Sequence, residues 1–163
     1  MKKVISLFLA LCFIFTVTAC GNNSKNNDVI SGRKWVGKDQ SLMDLKENGD
    51  FIWYQSKDNL EGNYMSGTYV VYKGQKAMDY IANDLSRFGV TMEEQQQMVN
   101  ASENRTLDTY YCLVITNTLL VMDGVETTGE SFSYYMGFYY EDGKTLDFVN
   151  MGTANYATFT LQE

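Results

Sequence analysis

The feature that most constrains this chain is a repeated pattern of short runs rich in aromatic and β-branched residues, each closed by a turn pair. Asn48-Gly49, Lys73-Gly74, Asp123-Gly124 and Asp142-Gly143 are the clearest of these pairs. Links this short join antiparallel neighbours, because a parallel crossover needs about a dozen residues or more. The runs are Trp35-Val36-Gly37, Ser41 to Leu45, Asp50 to Ser56, Ser66 to Tyr72, Asp108 to Thr116, Leu119 to Met122, Phe132 to Tyr140, Lys144 to Met151 and Tyr156 to Leu161. Asn48-Gly49 predicts a two-residue type I′ hairpin turn, which needs positive φ at both positions. The expected class is mainly β (α+β): an antiparallel meander barrel or a strongly curved sheet, with a two-helix insertion.

The insertion falls at about 76–101. Ala77, Ile81, Leu85 and Phe88 form one stripe at helical spacing, and Gly89 suits a C-cap. Thr91-Met92-Glu93-Glu94 has the capping-box form and starts a second short helix. Glu94 to Gln97 read as its solvated face.

The N-terminus carries a different message. Lys2 and Lys3 precede an uncharged stretch from Val4 to Val17, too short to cross a bilayer core of about 30 Å comfortably. Val17-Thr18-Ala19-Cys20 then resembles the bacterial lipobox. The resemblance implies a lipoprotein signal peptide over 1–19, diacylglycerol on the Cys20 thiol and cleavage just before it. Cys20 is thus the expected lipidation site, and two acyl chains give stable anchoring where one does not. Residues 20–31 form the anchor and a polar tether, Gly-Asn-Asn-Ser-Lys-Asn-Asn-Asp after Cys20, and the domain is expected over 32–163. The implied location is the outer face of the cell membrane.

Of three cysteines, Cys12 leaves with the signal and Cys20 is acylated, so Cys112 stands alone in an exported chain with no disulfide. Its neighbours Tyr110, Tyr111, Leu113, Val114 and Ile115 make it a small core residue. The chain has no histidine, which removes the commonest general base and metal ligand. Without Lys2 and Lys3, 11 basic residues face 20 acidic ones, a net charge of −9. From Thr106 onward only Lys144 opposes the carboxylates. A nucleic-acid partner is therefore not expected.

Trp35, the hairpin around Asn48-Gly49-Asp50-Phe51 and later Gly67-Thr68-Tyr69 resemble the opening of small lipocalin-like domains in bacterial lipoproteins. The resemblance implies a β-barrel or strongly bent sheet with Trp35 as its buried floor.

Aromatics crowd into Phe51-Ile52-Trp53-Tyr54 and into Tyr134 to Tyr140. Alternation sends Tyr134, Met136, Phe138 and Tyr140 to one face and Tyr135 and Tyr139 to the other, with a bend at Gly137. Such a strand needs cover on both sides, from barrel closure, a docked helix or a partner. Trp53, Tyr135 and Tyr139 are the candidate ligand contacts, since tyrosine and tryptophan offer apolar area with a polar handle. Core packing is the other reading of the same rings. Asp44, Glu47 and Asp50 flank one hairpin, and Asp58 to Asn63 reads as a loop without EF-hand spacing. Catalytic residues, metal ligands and cofactors are not expected. The function expected is a membrane-anchored binding module for a small apolar molecule, peptide or envelope component. A surface interaction protein with no small ligand, working in assembly, adhesion or protection, is the alternative.

Overall fold

A computed structural model of the protein describes residues 28–163. The expected signal segment, the expected lipidation site Cys20 and most of the expected tether lie outside the described residues. Eight strands follow one another: β1 (Arg33–Gly37), β2 (Leu42–Leu45), β3 (Asp50–Tyr54), β4 (Tyr64–Lys73), β5 (Tyr110–Met122), β6 (Val125–Tyr140), β7 (Thr145–Asn150) and β8 (Tyr156–Leu161). Each pairs antiparallel with its chain neighbours, and β8 returns to β1 through Trp35 opposite Leu161, so the sheet closes into a barrel. Closure removes most of the sheet edge that an open meander would leave.

Residues directly opposite in a ladder point to the same face, so the pairing register sorts the two sides. Trp35, Met43, Phe51, Tyr69, Leu113, Tyr139, Phe148 and Phe159 fill the barrel interior, all buried. Two glycines face that interior, Gly67 opposite Phe51 and Gly137 opposite Phe148. A Cβ at either would overlap a neighbouring backbone carbonyl, that of Thr116 or Asp147. The ladder slips between Ser66 and Gly67 and between Asn117 and Leu119. This lets β5 bend without ending, so the two strands expected at 108–116 and 119–122 are one. On the same ladder, β6 begins at Val125, earlier than the run from Phe132.

The insertion covers part of the outer face. It comprises α1 (Gln75–Ala82), a 3₁₀ turn (Leu85–Phe88) and α2 (Met92–Val99). The stripe from Ala77 to Phe88 is thus split: α1 ends at Asn83, and the 3₁₀ turn closes on Gly89 at φ 69°. Ala77, Met78, Ile81, Leu85 and Val99 pack on Tyr110, Cys112, Val114, Met136 and Phe138. The capping box forms as the sequence suggests, with Thr91 Oγ1 accepting from Glu94 N at 3.2 Å and Glu94 Oε2 accepting from Thr91 N at 2.8 Å. Gln95 departs from the expected solvated face. It is 2% exposed, and its Nε2 donates to the Tyr110 hydroxyl.

Two local differences have simple causes. At Asn48-Gly49 only the glycine takes positive φ, 88°. Gly49 N donates to the Lys46 carbonyl at 3.1 Å and Lys46 N to the Asp50 carbonyl at 2.8 Å, a three-residue turn with a glycine bulge. Asn48 Oδ1 accepts from Asp50 N at 3.1 Å, which holds that geometry. The type I′ turn sits instead at Asp123 (φ 52°) and Gly124 (φ 77°), between β5 and β6. The ordered domain also starts before residue 32: Ile30 is fully buried in the barrel core with Val29 beside it. Asp28 Oδ1 fixes this segment by accepting from Ile30 N and Ser31 N, at 2.8 and 2.7 Å.

Candidate functional site

Strand direction divides the connections between two barrel ends. One end holds the Asp28–Gly32 segment, the turn after β2 and the turn after β6. Here Trp35 Nε1 donates to the Ile30 carbonyl at 3.1 Å, and the Tyr69 hydroxyl donates to the Lys46 carbonyl at 2.7 Å. Trp35 is fully buried at this closed end. Tyr139 belongs to it as well, 6% exposed and edge to face with Trp35. It is therefore core rather than an exposed contact, because closure brings the floor tryptophan against its ring. Lys144, the one basic residue near Tyr139 in sequence, also lies at this end and pairs with Glu163 at 2.7 Å.

The other end carries the loops 38–41, 55–63 and 151–155 and the hairpin between β5 and β6. Trp53 and Tyr135 meet inside it, both half-buried, with ring centroids 5.6 Å apart and planes at 49°. Trp53 also abuts Phe159 edge to face at 5.5 Å, so the buried interior sets its orientation from below. Desolvation raises the Tyr135 hydroxyl above its usual range, and hydrogen bonding to Asn150 offsets part of the rise. At neutral pH this ring is an uncharged donor and acceptor beside an indole. The three candidate contacts are thus parted: Trp53 and Tyr135 come together at the mouth, and Tyr139 goes to the floor.

The register adds residues that spacing alone did not reveal. Trp53 lies opposite Met65, Met65 opposite Leu120, and Leu120 opposite Thr127. This row faces inward, so Leu120 and, two residues on, Met122 with its partner Val125 extend the mouth's apolar side along the β5–β6 arm. They are 37%, 44% and 65% exposed. The signal for them lay in pairing across three strands, which a single run of sequence does not contain.

The rim is mainly acidic: Asp39, Asp58, Glu61, Asp123 and Glu126 against Lys38 and Lys57. Lys57 is itself engaged by Asp58 at 3.1 Å. Beside the mouth, Gln55, Asn63 and Asp123 line an open polar groove of about 370 Å³. Asn63 ties it together, donating to Gln55 Oε1 at 2.8 Å and accepting from Asp123 N at 2.7 Å. Of the hairpin carboxylates, Asp44 lies beside Lys34 at 3.5 Å, and Asp50 accepts from the Asn48 amide at 2.7 Å. No cluster of three metal-ligating side chains occurs among the described residues. No protein-family model, curated protein or solved structure matches this chain.

Proposed function

We propose that the protein is a membrane-anchored, extracytoplasmic lipoprotein whose lipocalin-like barrel is a binding module. Its ligand is a small apolar molecule, a peptide or an envelope component held at the barrel mouth. The observation that supports binding is the half-buried Trp53–Tyr135 pair, continued outward by Leu120, Met122 and Val125. These side chains offer an apolar surface beside one hydroxyl, the composition of many ligand sites. The acidic rim favours a neutral or cationic ligand. Buried side chains occupy the barrel axis below the pair, so the ligand rests on the mouth rather than sinking to the floor.

Nile red, a neutral apolar dye, tests the mouth. Its fluorescence should rise on binding and be lost in Trp53→Ser, with the folded circular dichroism spectrum retained. Equal dye binding by the variant would move the site elsewhere. The anchor rests on Lys2-Lys3, the short apolar core and Val17-Thr18-Ala19-Cys20. Cys20→Ser should leave an unprocessed or released protein; a fully processed mutant still in the detergent phase would remove the lipid from the account. A surface interaction protein with no small ligand is the second reading, favoured by apolar side chains exposed along the β5–β6 arm.

A further inference from the structure

β6 is longer than its partner. It pairs with β7 only from Tyr135 to Tyr140, while its pairing with β5 continues to Val125, interrupted at Gly129 and Glu130 where the register slips. The stretch 125–133 therefore has a strand on one side and, among the described residues, none on the other. It runs about 30 Å at ordinary strand rise, and every residue from Val125 to Phe132 is exposed.

The polarity of this edge can be assigned. The Tyr134 carbonyl accepts from Met151 N at 2.8 Å, so Tyr134 directs its backbone polar groups toward the β7 side. Alternation then points the N–H and C=O of Glu126, Thr128, Glu130 and Phe132 to the open edge. The odd-numbered residues face β5, as the closing pair Met122 with Val125 requires. The side chains of those same four residues share the outer face, with Tyr134 and Met136. An incoming strand would find a row of free donors and acceptors flanked by two carboxylates and an exposed phenyl ring, Phe132 at 58%.

We infer that this edge is a β-augmentation site for an extended, basic segment of a partner protein. Paired antiparallel, the partner presents an apolar residue to Phe132, Lys or Arg to Glu130, a small residue to Thr128 and Lys or Arg to Glu126. Backbone hydrogen bonds supply affinity and the alternate side chains supply selectivity. Charge sets the choice of occupant. No basic residue lies between Thr106 and Gly143 to offset the two glutamates. A second copy paired about Thr128 would set Glu126 against Glu130, and like charges directly opposite destabilise a ladder. The inference does not depend on what occupies the mouth.

The probe is an acetylated peptide, Ile-Thr-Lys-Thr-Thr-Ser-Lys-Thr, added to the full chain in detergent. Hydrogen exchange should slow at the amides of Glu126, Thr128, Glu130 and Phe132. Thr128→Pro removes one edge N–H while leaving the β5 ladder intact. It should weaken the peptide about tenfold, as loss of one hydrogen bond implies, with an unchanged circular dichroism spectrum. Trp53→Ser should leave the peptide's affinity as it was, which separates this site from the mouth. Replacing both lysines by glutamate should abolish binding. Equal binding to Thr128→Pro, protection elsewhere or no binding overturns the inference, and the glutamates then serve only to repel other strands. Peptide-free protection that grows with protein concentration would assign the edge to a second copy. Protection lost on removing residues 1–27 would assign it to the chain's own N-terminus.

Discussion

Trp35 and Tyr139 meet edge to face at the closed end of the barrel, with ring centroids 6.3 Å apart and planes 82° apart. The indole N–H is spent on the Ile30 carbonyl, so the tryptophan joins the N-terminal segment, β1 and β6 in one contact. Removing a buried aromatic costs about 3–5 kcal/mol, against the roughly 5–15 kcal/mol that holds a domain folded. Trp35→Ala should therefore yield mostly insoluble or molten protein, seen as loss of near-ultraviolet circular dichroism. An unchanged melting temperature would contradict the packing described.

Tyr135 and Tyr139 share a face of β6 yet differ in depth, and their variants should separate. Tyr139→Ser empties part of the floor and should cost about 3 kcal/mol. Tyr135→Ser opens a site already in partial contact with water and should cost about 1–2 kcal/mol. Urea midpoints of the two single variants decide this. If Tyr135→Ser proves the more damaging, the mouth is a structural seal rather than a binding surface.

The contrast between these tyrosines marks how far the sequence could be read. The two-sided aromatic pattern of Tyr134 to Tyr140 was legible, as was its need for cover on both faces; barrel closure covers one and the helical insertion the other. Gly137 was legible as a special position, although its reason is the Asp147 backbone on β7 rather than a bend alone. Depth along the barrel was not legible, because alternation reports which face a residue takes and never which end. Asn48-Gly49 misled for a local reason: an asparagine side chain that bonds the backbone two residues on stabilises a type I turn as readily as the left-handed pair. The mouth residues Met65 and Leu120 depend on register across β3, β4 and β5, information that no single strand holds.

Gln95 and Tyr110 illustrate the same limit on the insertion, where a glutamine amid polar neighbours proves buried. Its amide donates to the Tyr110 hydroxyl, which desolvation holds well above its ordinary range. Gln95→Ala would leave that hydroxyl buried without its partner, at about 1–3 kcal/mol. Gln95→Leu combined with Tyr110→Phe removes both polar groups and should cost less than the two single changes summed. A double-mutant cycle in urea measures the coupling. Strict additivity would mean that water already satisfies the hydroxyl.

Alkaline stability follows from three groups kept neutral, Cys112 and Tyr111 buried and Tyr80 half-buried. Burial raises the Cys112 thiol from an ordinary 9.0 to about 12. Burial first, and neighbouring negative charge second, raise Tyr80 and Tyr111 from 10.0 to about 12. In the unfolded chain these groups release protons near their ordinary values, while the folded protein retains them until about pH 12. Between those limits the unfolded state binds fewer protons, so stability falls as pH rises. The contribution is present in full below pH 9, declines from 9 to about 12 and is gone above. With no histidine in the chain, no imidazole titration adds to this near neutrality. The urea midpoint should drop steadily above pH 9, and tyrosinate absorbance should lag until unfolding releases it. Cys112→Ala should delay the onset of the drop toward pH 10, because the thiol has the lowest ordinary pKa of the three. A midpoint constant from pH 8 to 11 would mean that the thiol and both hydroxyls titrate freely in the folded barrel.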